Sequence, residues 1–179
     1  IDDETALNIN ALSLSALART DIPFISKNLC AAIVFTSGST GLPTAIEKSW
    51  DTFERSTEIN IKHMLDDRES LCFEVATIPG QHMWGMETSI LIPLMAAVCV
   101  CDTRPFFVQD IANMLTKVEM PRLLVTTPVH LRAMILSGLT FPELSAVLCA
   151  TAPLSSDMAS QAESLFQTQL NEVYGCSEA

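Results

Sequence analysis

One short stretch combines hydroxyl side chains with glycine, and no other segment of the sequence is so well suited to chemistry. Residues 35–43 read FTSGSTGLP, and the stretch holds these hydroxyl residues and glycines: Thr36, Ser37, Gly38, Ser39, Thr40 and Gly41. Glycine lets the backbone approach a ligand closely, while hydroxyl and backbone N–H groups donate to anionic oxygens. The pattern therefore suggests a cradle for polyphosphate. The same composition also fits a Ser/Gly-rich surface turn.

Three other phosphate or nucleophile motifs are absent from the sequence. A Walker loop needs a lysine directly after its last glycine, and Leu42 follows Gly41 here. The G-x-S-x-G turn of serine hydrolases is missing as well, and so is a kinase-type G-x-G-x-x-G loop. The sequence therefore argues against a Walker-type ATPase, a kinase and a hydrolase of that type.

Three further segments carry polar or aromatic residues that could contact a nucleotide. Residues 79–85 read PGQHMWG and include His82, and residues 150–154 read ATAPL. Residues 174–178 read YGCSE, which places an aromatic ring, a hydroxyl and a carboxylate close together. Each segment alone also has an ordinary explanation: a histidine at a helix start, a strand-to-helix turn, or a strand end with a polar tail.

Short apolar runs alternate with segments of helical period along the chain. Strands are predicted at residues 31–36, 71–75, 98–101, 123–126, 146–149 and 171–174, the first of them buried. Helices are predicted at residues 50–65 with Ser49 as N-cap, at 84–95 with an interruption near Pro93, at 108–118, from Pro128 after Thr127, and at 156–169. This alternation predicts an α/β fold, with a largely parallel sheet covered by helices on both faces. Such sheets bind ligands beyond the carboxyl ends of their strands.

The segment FTSGSTGLP closely resembles the signature loop of the adenylate-forming superfamily. That superfamily includes acyl-CoA synthetases, aryl-CoA ligases, luciferases and the adenylation domains of nonribosomal peptide synthetases. The resemblance implies that residues 36–41 wrap the β- and γ-phosphates of ATP. The segment YGCSE resembles the family motif Y-G-x-T-E. It implies that Tyr174 lies against the adenine with Gly175 beside the nucleotide, that Ser177 contacts the α-phosphate, and that Glu178 binds Mg²⁺.

Two more segments resemble family motifs and occur in the family's order. PGQHMWG is similar to P-x-x-H-x-x-G, which implies that His82 stands at the wall between the carboxylate substrate and the α-phosphate. ATAPL is similar to G-G-A-P-L, which lies along the adenine in the family. This implies nucleotide contacts for Thr151, Ala152 and Pro153, although Ala150 and Thr151 replace the family's two glycines. The resemblance covers residues 31–179.

The sequence departs from the family pattern directly after the loop. Most members carry a lysine there, whereas this chain has Thr44, and Lys48 follows four positions later. If residues 44–49 form a strand, Thr44 and Lys48 share a face, and the long Lys48 side chain can reach the same phosphates. The alternative is that Lys48 pairs with Glu47 or is solvated.

The resemblance implies an enzyme that activates a carboxylic acid with ATP as an acyl-adenylate. A thiol of coenzyme A, or the phosphopantetheine of an acyl or peptidyl carrier protein, would then capture the acyl group. His82, Lys48 and Ser177 would be the catalytic residues, with ATP and Mg²⁺ required. Residues 1–179 would form part of the AMP-binding domain, without the C-terminal domain that carries the family's catalytic lysine. The alternative is a non-catalytic relative that serves as a binding or scaffold module.

Composition limits the other possibilities. The 179 residues are 49% hydrophobic, which suits one domain or a piece of one. A formal net charge of -11 argues against nucleic acid as a partner. The longest apolar run, residues 90–100, is about half of the ~20 residues that a membrane helix needs. Six cysteines without a C-x-x-C pair indicate free thiols packed as small apolar groups in a reducing cytoplasm. His63 and His130 are predicted to be ordinary helix residues.

Overall fold

A computed structural model describes residues 24–36, 43–65 and 71–175 of the chain. The strands in these ranges are β1 (Cys30–Thr36), β2 (Thr44–Ser49), β3 (Cys72–Ala76), β4 (Val98–Val100), β5 (Arg122–Thr126), β6 (Ala146–Ala150) and β7 (Leu170–Val173). The α-helices are α1 (Trp50–Met64), α2 (Met83–Met86), α3 (Ile92–Met95), α4 (Val108–Lys117), α5 (Pro128–Leu136) and α6 (Ser156–Phe166). A π-helical segment, Glu87–Leu91, joins α2 to α3.

Five parallel strands form the main sheet, in the order β4-β3-β5-β6-β7. One hydrophobic cluster packs side chains of β3, β5 and β6 against α1 and the α2–α3 segment, with Met64, Trp84 and Ile92 among them. A second cluster packs the opposite face against α4, α5 and α6, where Ile111 and Phe166 are fully buried. The α/β fold predicted from the sequence is therefore confirmed.

Capping residues set several helix starts as the sequence predicts. The Ser49 hydroxyl accepts a hydrogen bond from the Thr52 N–H at 3.3 Å, and Thr127 caps α5 directly before Pro128. The end of α6 lies at Phe166, three residues before the predicted end at residue 169. Gln167 takes a left-handed conformation with φ 52°, which stops the helix.

The strand β1 is not the buried strand that its apolar sequence predicts. Among the described strands it pairs only with β2, antiparallel and outside the main sheet, and the register places Thr36 opposite Thr44. The side chains of Ile33 and Phe35 are 53% and 68% exposed. An apolar run shows that residues favour an extended conformation, but it does not show whether a second layer covers them.

The helix predicted over residues 84–95 is divided into α2, the π-helical segment and α3. Pro93 lacks the N–H that would continue a regular helical ladder, so the predicted interruption near this residue is confirmed. The irregular turn lies just before the proline, at Glu87–Leu91. Such π-helical turns occur frequently at functional sites.

The strand order changes direction at the neighbouring strands β3 and β5. From β3 the chain passes outward to β4, and then it crosses back to β5 and continues to β6 and β7. The connection from β3 to β4 runs through α2 and α3 on one face, whereas α5 leaves β5 on the other face. The hydroxyls of Thr77 and Thr126 lie 3.1 Å apart at the ends of these two strands. A crevice outside the carboxyl ends of the strands is expected where the connections diverge, and ligands of parallel sheets bind there.

Candidate functional site

Two cavities open at the carboxyl edge of the main sheet. The Glu87 cavity, of about 260 Å³, is lined by His82, Met83, Trp84, Glu87, Ala150, Thr151, Val173 and Gly175. The Arg104 cavity, of about 330 Å³, is lined by Thr77, Ile78, Pro79, His82, Arg104, Phe106, Thr127, His130 and Thr151. His82 and Thr151 line both cavities, so these two residues stand at their boundary.

The Glu87 cavity brings together residues from three separate sequence motifs. His82 belongs to PGQHMWG, Thr151 to ATAPL and Gly175 to YGCSE. The sheet register explains part of this convergence, because Ala150 of β6 is paired with Val173 of β7. The residues that follow these two strands therefore leave the sheet at the same level.

His82 is the N-cap of α2 as well as a wall of both cavities. Its ring Nδ1 accepts a hydrogen bond from the Trp84 N–H at 3.2 Å, and its own N–H donates to the Pro79 carbonyl at 2.9 Å. A ring nitrogen that accepts carries no proton, so neutral His82 bears its proton on Nε2. The side chain is exposed, which leaves the Nε2–H available as a donor to a ligand.

Close backbone packing explains why the PGQHMWG segment ends with a glycine, Gly85. A Cβ built on Gly85 would overlap the carbonyl oxygen of Pro79 and lie 2.8 Å from the carbonyl carbon. Helix α2 therefore packs with its backbone directly against the turn that carries His82.

Thr151 stands where a glycine would be expected on conformational grounds. Its φ is 88°, a region that L-residues rarely adopt and that is a genuine outlier for a β-branched side chain. The family motif that ATAPL resembles has glycine at this position. Thr151 thus holds a strained backbone at the boundary of the two cavities, and strain of this kind clusters at ligand sites.

Replacing Thr151 with glycine should stabilise the fold, because glycine adopts this φ without steric cost. Relief of the strain is worth about 1 kcal/mol after allowing for the extra freedom of glycine in the unfolded chain. The midpoint of urea unfolding of the full-length protein measures the change. Thr140→Gly is the matched control, since Thr140 is exposed in a loop and is not among the described residues with positive φ. If Thr151→Gly unfolds at the same urea concentration as Thr140→Gly or at a lower one, the inferred backbone strain at Thr151 is wrong.

Glu87 places a carboxylate on the wall of its cavity. Its Oε2 accepts a hydrogen bond at 3.2 Å from the side-chain amide of Asn60, which lies on α1. Burial raises the pKa of Glu87, while Asn60, the charge of Lys48 and the hydroxyl of Ser56 act in the opposite direction. The carboxylate is therefore held among polar groups of α1 and β2.

Lys48 lies on β2 with only 4% of its side chain exposed, and its charge acts on Glu87. Residues 44–49 do form a strand, which was the condition for Lys48 to share a face with Thr44, and Thr44 is exposed. The structure thus places Lys48 towards the helices that line the Glu87 cavity. The alternative in which Lys48 is merely solvated is wrong for this buried side chain, and its contact with phosphate stays a prediction.

Glu74 is a buried acid that the apolar strand sequence LCFEV concealed. It lies in the middle of β3 with 1% exposure, and Ser89 of the π-helical segment donates to its Oε1 at 2.6 Å. Burial raises the pKa of Glu74 to about 7, and the Ser89 hydrogen bond acts in the opposite direction. Glu74 therefore ties the sheet to the segment that carries Glu87. A single acid within an apolar run was the available signal.

The Arg104 cavity contains residues that the sequence analysis did not select. Arg104 follows β4, and Phe106 meets the ring of His130 edge to face at 5.5 Å between centroids. His130, predicted to be an ordinary helix residue, lines the cavity, and burial lowers its pKa. The Thr127 hydroxyl lies 3.0 Å from its Nδ1. His63 is exposed on α1, as predicted.

The other predicted site residues lie beside the cavities or outside the described ranges. Ala152, Pro153 and Tyr174 are exposed and are not among the residues that line the two cavities. Thr36 is the last residue of β1. Ser37, Gly38, Ser39, Thr40, Gly41, Ser177 and Glu178 lie outside the described residues.

The cysteines follow the sequence analysis only in part. No disulfide joins Cys30, Cys72, Cys99, Cys101 or Cys149. Cys72 and Cys149 are buried as predicted, whereas Cys30 and Cys99 are exposed at a hairpin and an outer strand. Within residues 24–36, 43–65 and 71–175, no group of three or more His, Cys, Asp or Glu side chains could hold a metal ion. None of the helices in these ranges has the length and apolar character needed to cross a bilayer.

Comparison with known proteins gives one family match and many similar structures. The sequence matches the profile of the AMP-binding enzyme family over residues 2–179. A search of curated proteins found no match. The ATP-bound structure of MatB from Rhodopseudomonas palustris superposes with a TM-score of 0.71 and 19% identity, covering 84% of this chain and 30% of that chain.

Two further structures have the same fold. A malonyl-CoA ligase in a ternary product complex with methylmalonyl-CoA and AMP gives a TM-score of 0.70 at 19% identity, covering 90% of this chain and 36% of that one. A benzoate CoA ligase from Burkholderia xenovorans LB400 gives 0.68 at 13% identity, covering 83% and 30%. The chain thus spans about a third of the length of the structures it matches.

Proposed function

Because the chain belongs to the AMP-binding enzyme family, we propose that the full-length protein uses ATP to activate a carboxylic acid as an acyl-adenylate. The convergence of His82, Thr151 and Gly175 on the Glu87 cavity is the observation that supports this function best. Each residue comes from a different motif, and all three meet at the carboxyl edge of a parallel sheet. Ligands bind at this edge in folds of this class.

The exposed residues after β6 and β7 are suited to the adenosine part of ATP. Thr151, Ala152 and Pro153 leave β6 beside Tyr174, whose ring is 95% exposed. An uncovered aromatic face can stack on an adenine base. We assign the adenine to this surface, with Gly175 at the mouth of the Glu87 cavity.

The reaction needs positioning more than covalent chemistry by the protein. A carboxylate oxygen of the acid attacks the α-phosphorus of ATP, and the bond to the departing pyrophosphate breaks. His82 would donate its Nε2–H to the carboxylate at the boundary of the two cavities. Residues 36–41 would hold the pyrophosphate through N–H and hydroxyl groups, and Ser177 would contact the α-phosphate.

Lys48 and Glu178 would both help to neutralise the negative charge of the phosphates. Lys48 would contribute positive charge from the α1 end of β2, four residues after Thr44 at the loop end, and its charge also acts on Glu87. Glu178 is a hard anionic ligand suited to Mg²⁺, which would neutralise phosphate charge when bound.

The acid itself is assigned to the Glu87 cavity. That cavity runs from Gly175, at the proposed nucleotide surface, to Met83, Trp84 and Glu87 on the helical side. The similar structures include ligases for benzoate and for malonate-type acids, which supports acid–thiol ligation as the overall activity. Coenzyme A or a carrier-protein pantetheine as acceptor, and a cytoplasmic location, stay predictions.

Acid-dependent exchange of labelled pyrophosphate into ATP by the full-length protein tests this function. His82→Asn should lower the exchange rate by about 100-fold, the lower end for loss of one preorganised donor in a reacting site. Asparagine still caps α2, so the loss is not explained by a weakened helix start. His63→Asn is the matched control, since His63 is exposed on α1.

The outcomes separate the enzyme from its alternative. Exchange that requires an acid and falls in His82→Asn but not in His63→Asn supports adenylation at this site. A folded protein that catalyses no exchange with fatty, aromatic or dicarboxylic acids would favour the non-catalytic binding or scaffold module.

A further inference from the structure

The indole of Trp84 carries a buried N–H donor that finds no acceptor among the described residues. Trp84 is 6% exposed and lines the Glu87 cavity. Within the described part of the chain, its Nε1–H has no hydrogen-bond partner. A buried donor without an acceptor costs about 1–3 kcal/mol, and such groups are few in native proteins. The position of this one, in the wall of a proposed substrate cavity, suggests that a bound ligand supplies the acceptor.

Glu87 offers the complementary group one helical turn further along. Residues three apart on a helix lie on the same side, and both residues line the cavity. Asn60 occupies one position on Oε2, and the hydroxyl of Ser56 and the charge of Lys48 also act on the carboxylate. A carboxylate has about four positions that can accept hydrogen bonds, so Glu87 retains capacity for a donor from the cavity.

A donor and an acceptor on one wall select for a group that both accepts and donates. An alkyl chain would leave the Trp84 N–H without a partner. A second carboxylate would accept from Trp84 but has no proton to donate to Glu87, and an ammonium group would pair with Glu87 but could not accept. A hydroxyl group meets both requirements.

We propose that the acid activated in the Glu87 cavity carries a hydroxyl group, which accepts from the Trp84 N–H and donates to the Glu87 carboxylate. This inference rests on the proposed function and names the chemical class of its substrate. Because Trp84 is almost fully buried, its indole must turn slightly towards the cavity when the acid binds. Discrimination of this kind is strong in enzymes, since a substrate without the hydroxyl leaves buried polar groups unpaired.

The test compares matched acids in the pyrophosphate exchange assay with the full-length protein. The pairs are 4-hydroxybenzoate with benzoate and 3-hydroxybutyrate with butyrate, and the readout is the ratio of kcat/KM within each pair. At least one hydroxy acid should exceed its partner by about 10-fold or more, as expected for hydrogen bonds to buried partners. Both acids of a pair are measured on one preparation, so loss of folded protein cancels from the ratio.

Two variants test whether Trp84 and Glu87 cause the preference for hydroxy acids. Trp84→Phe keeps an aromatic ring without the N–H and should lower the ratio by about 10-fold. Glu87→Met removes the acceptor at similar length and should lower it as well. Trp50→Phe is the control, because Trp50 lies on α1 outside the residues that line the Glu87 cavity, and it should leave the ratio unchanged.

The outcomes distinguish the substrate class from the activity. Equal kcat/KM values within both pairs, or a ratio that survives Trp84→Phe, would overturn the hydroxyl assignment while leaving acid activation intact. Absence of exchange with every acid would overturn both. A ratio that falls in Trp84→Phe and not in Trp50→Phe supports the assignment.

Discussion

Gly85→Ala should destabilise the protein by about 3 kcal/mol, the upper part of the range for inserting a methyl group into a packed interior. The new Cβ would overlap the Pro79 carbonyl oxygen and lie 2.8 Å from its carbon. Both atoms belong to the backbone, so no side chain can rotate to relieve the contact. Either α2 or the turn before it must move.

The same movement should reduce catalysis, because His82 lies in the turn between Pro79 and Gly85. A displacement of about 1 Å at a reacting group can cost about 100-fold in rate, and we expect a loss of that size in the exchange assay. The urea midpoint and the exchange rate of the full-length protein give the two measurements.

Gly80→Ala is the control for this glycine. Gly80 lies in the same turn, but an added Cβ would meet only the end of the Ile90 side chain at 3.4 Å, an ordinary contact. This variant should stay within about 0.5 kcal/mol of the wild type. If Gly85→Ala and Gly80→Ala unfold at the same urea concentration, the close approach of α2 to Pro79 is wrong.

Glu74 should make the protein less stable as the pH rises from 5 to 8. Burial raises the pKa of Glu74 from 4.5 to about 7, which means that the folded state binds its proton more tightly than the unfolded state. The stabilising contribution of the protonated acid is therefore complete below pH 4.5 and is lost as the pH rises through 7. Each pH unit between the two pKa values corresponds to about 1.4 kcal/mol, so the total is about 3 kcal/mol.

Glu74→Gln isolates this contribution from those of other groups. Glutamine is neutral at every pH and still offers an oxygen to the Ser89 hydroxyl. The variant should match the wild type below pH 4.5 and exceed it by about 3 kcal/mol at pH 8. The opposite slope from His130, whose pKa is lowered by burial, is common to both proteins and cancels in the difference.

Urea unfolding at several pH values measures the effect, with Glu143→Gln as the control. Glu143 is exposed, so the same change of charge on the surface should give no such pH-dependent difference. A wild-type minus Glu74→Gln difference that is constant from pH 5 to pH 8 would show that Glu74 is not a buried titrating acid.

Local signals in the sequence predicted the parallel sheet and much of the helix layer. Ser49 and Thr127 cap helices as expected, and Pro93 coincides with a break in helical geometry. These features depend on neighbouring residues alone. The exposure of β1 depends on what packs against it, which an apolar run such as AAIVFT does not specify.

Residues of the candidate site could be predicted from the sequence where they belong to a motif. They could not be predicted where burial and distant contacts determine what the side chain does. His82, Thr151 and Gly175 were selected from motifs, and the structure brings them to one cavity. Glu74 and Glu87 read as isolated acids in apolar segments, because their roles arise from contacts with Ser89 and Asn60 that are distant in sequence. The strain at Thr151 likewise could not be predicted from the sequence, because it is visible only in the backbone φ angle.

The antiparallel hairpin of β1 and β2 has an entropic consequence for the proposed phosphate contacts. Thr36 and Thr44 are paired across the hairpin, so the two ends of the segment that resembles the phosphate loop are already joined. Closing a chain segment has a conformational cost that grows with the logarithm of its length. Here the pairing of β1 with β2 meets that cost during folding and not during binding, which favours tighter binding than an untethered segment of the same sequence could give.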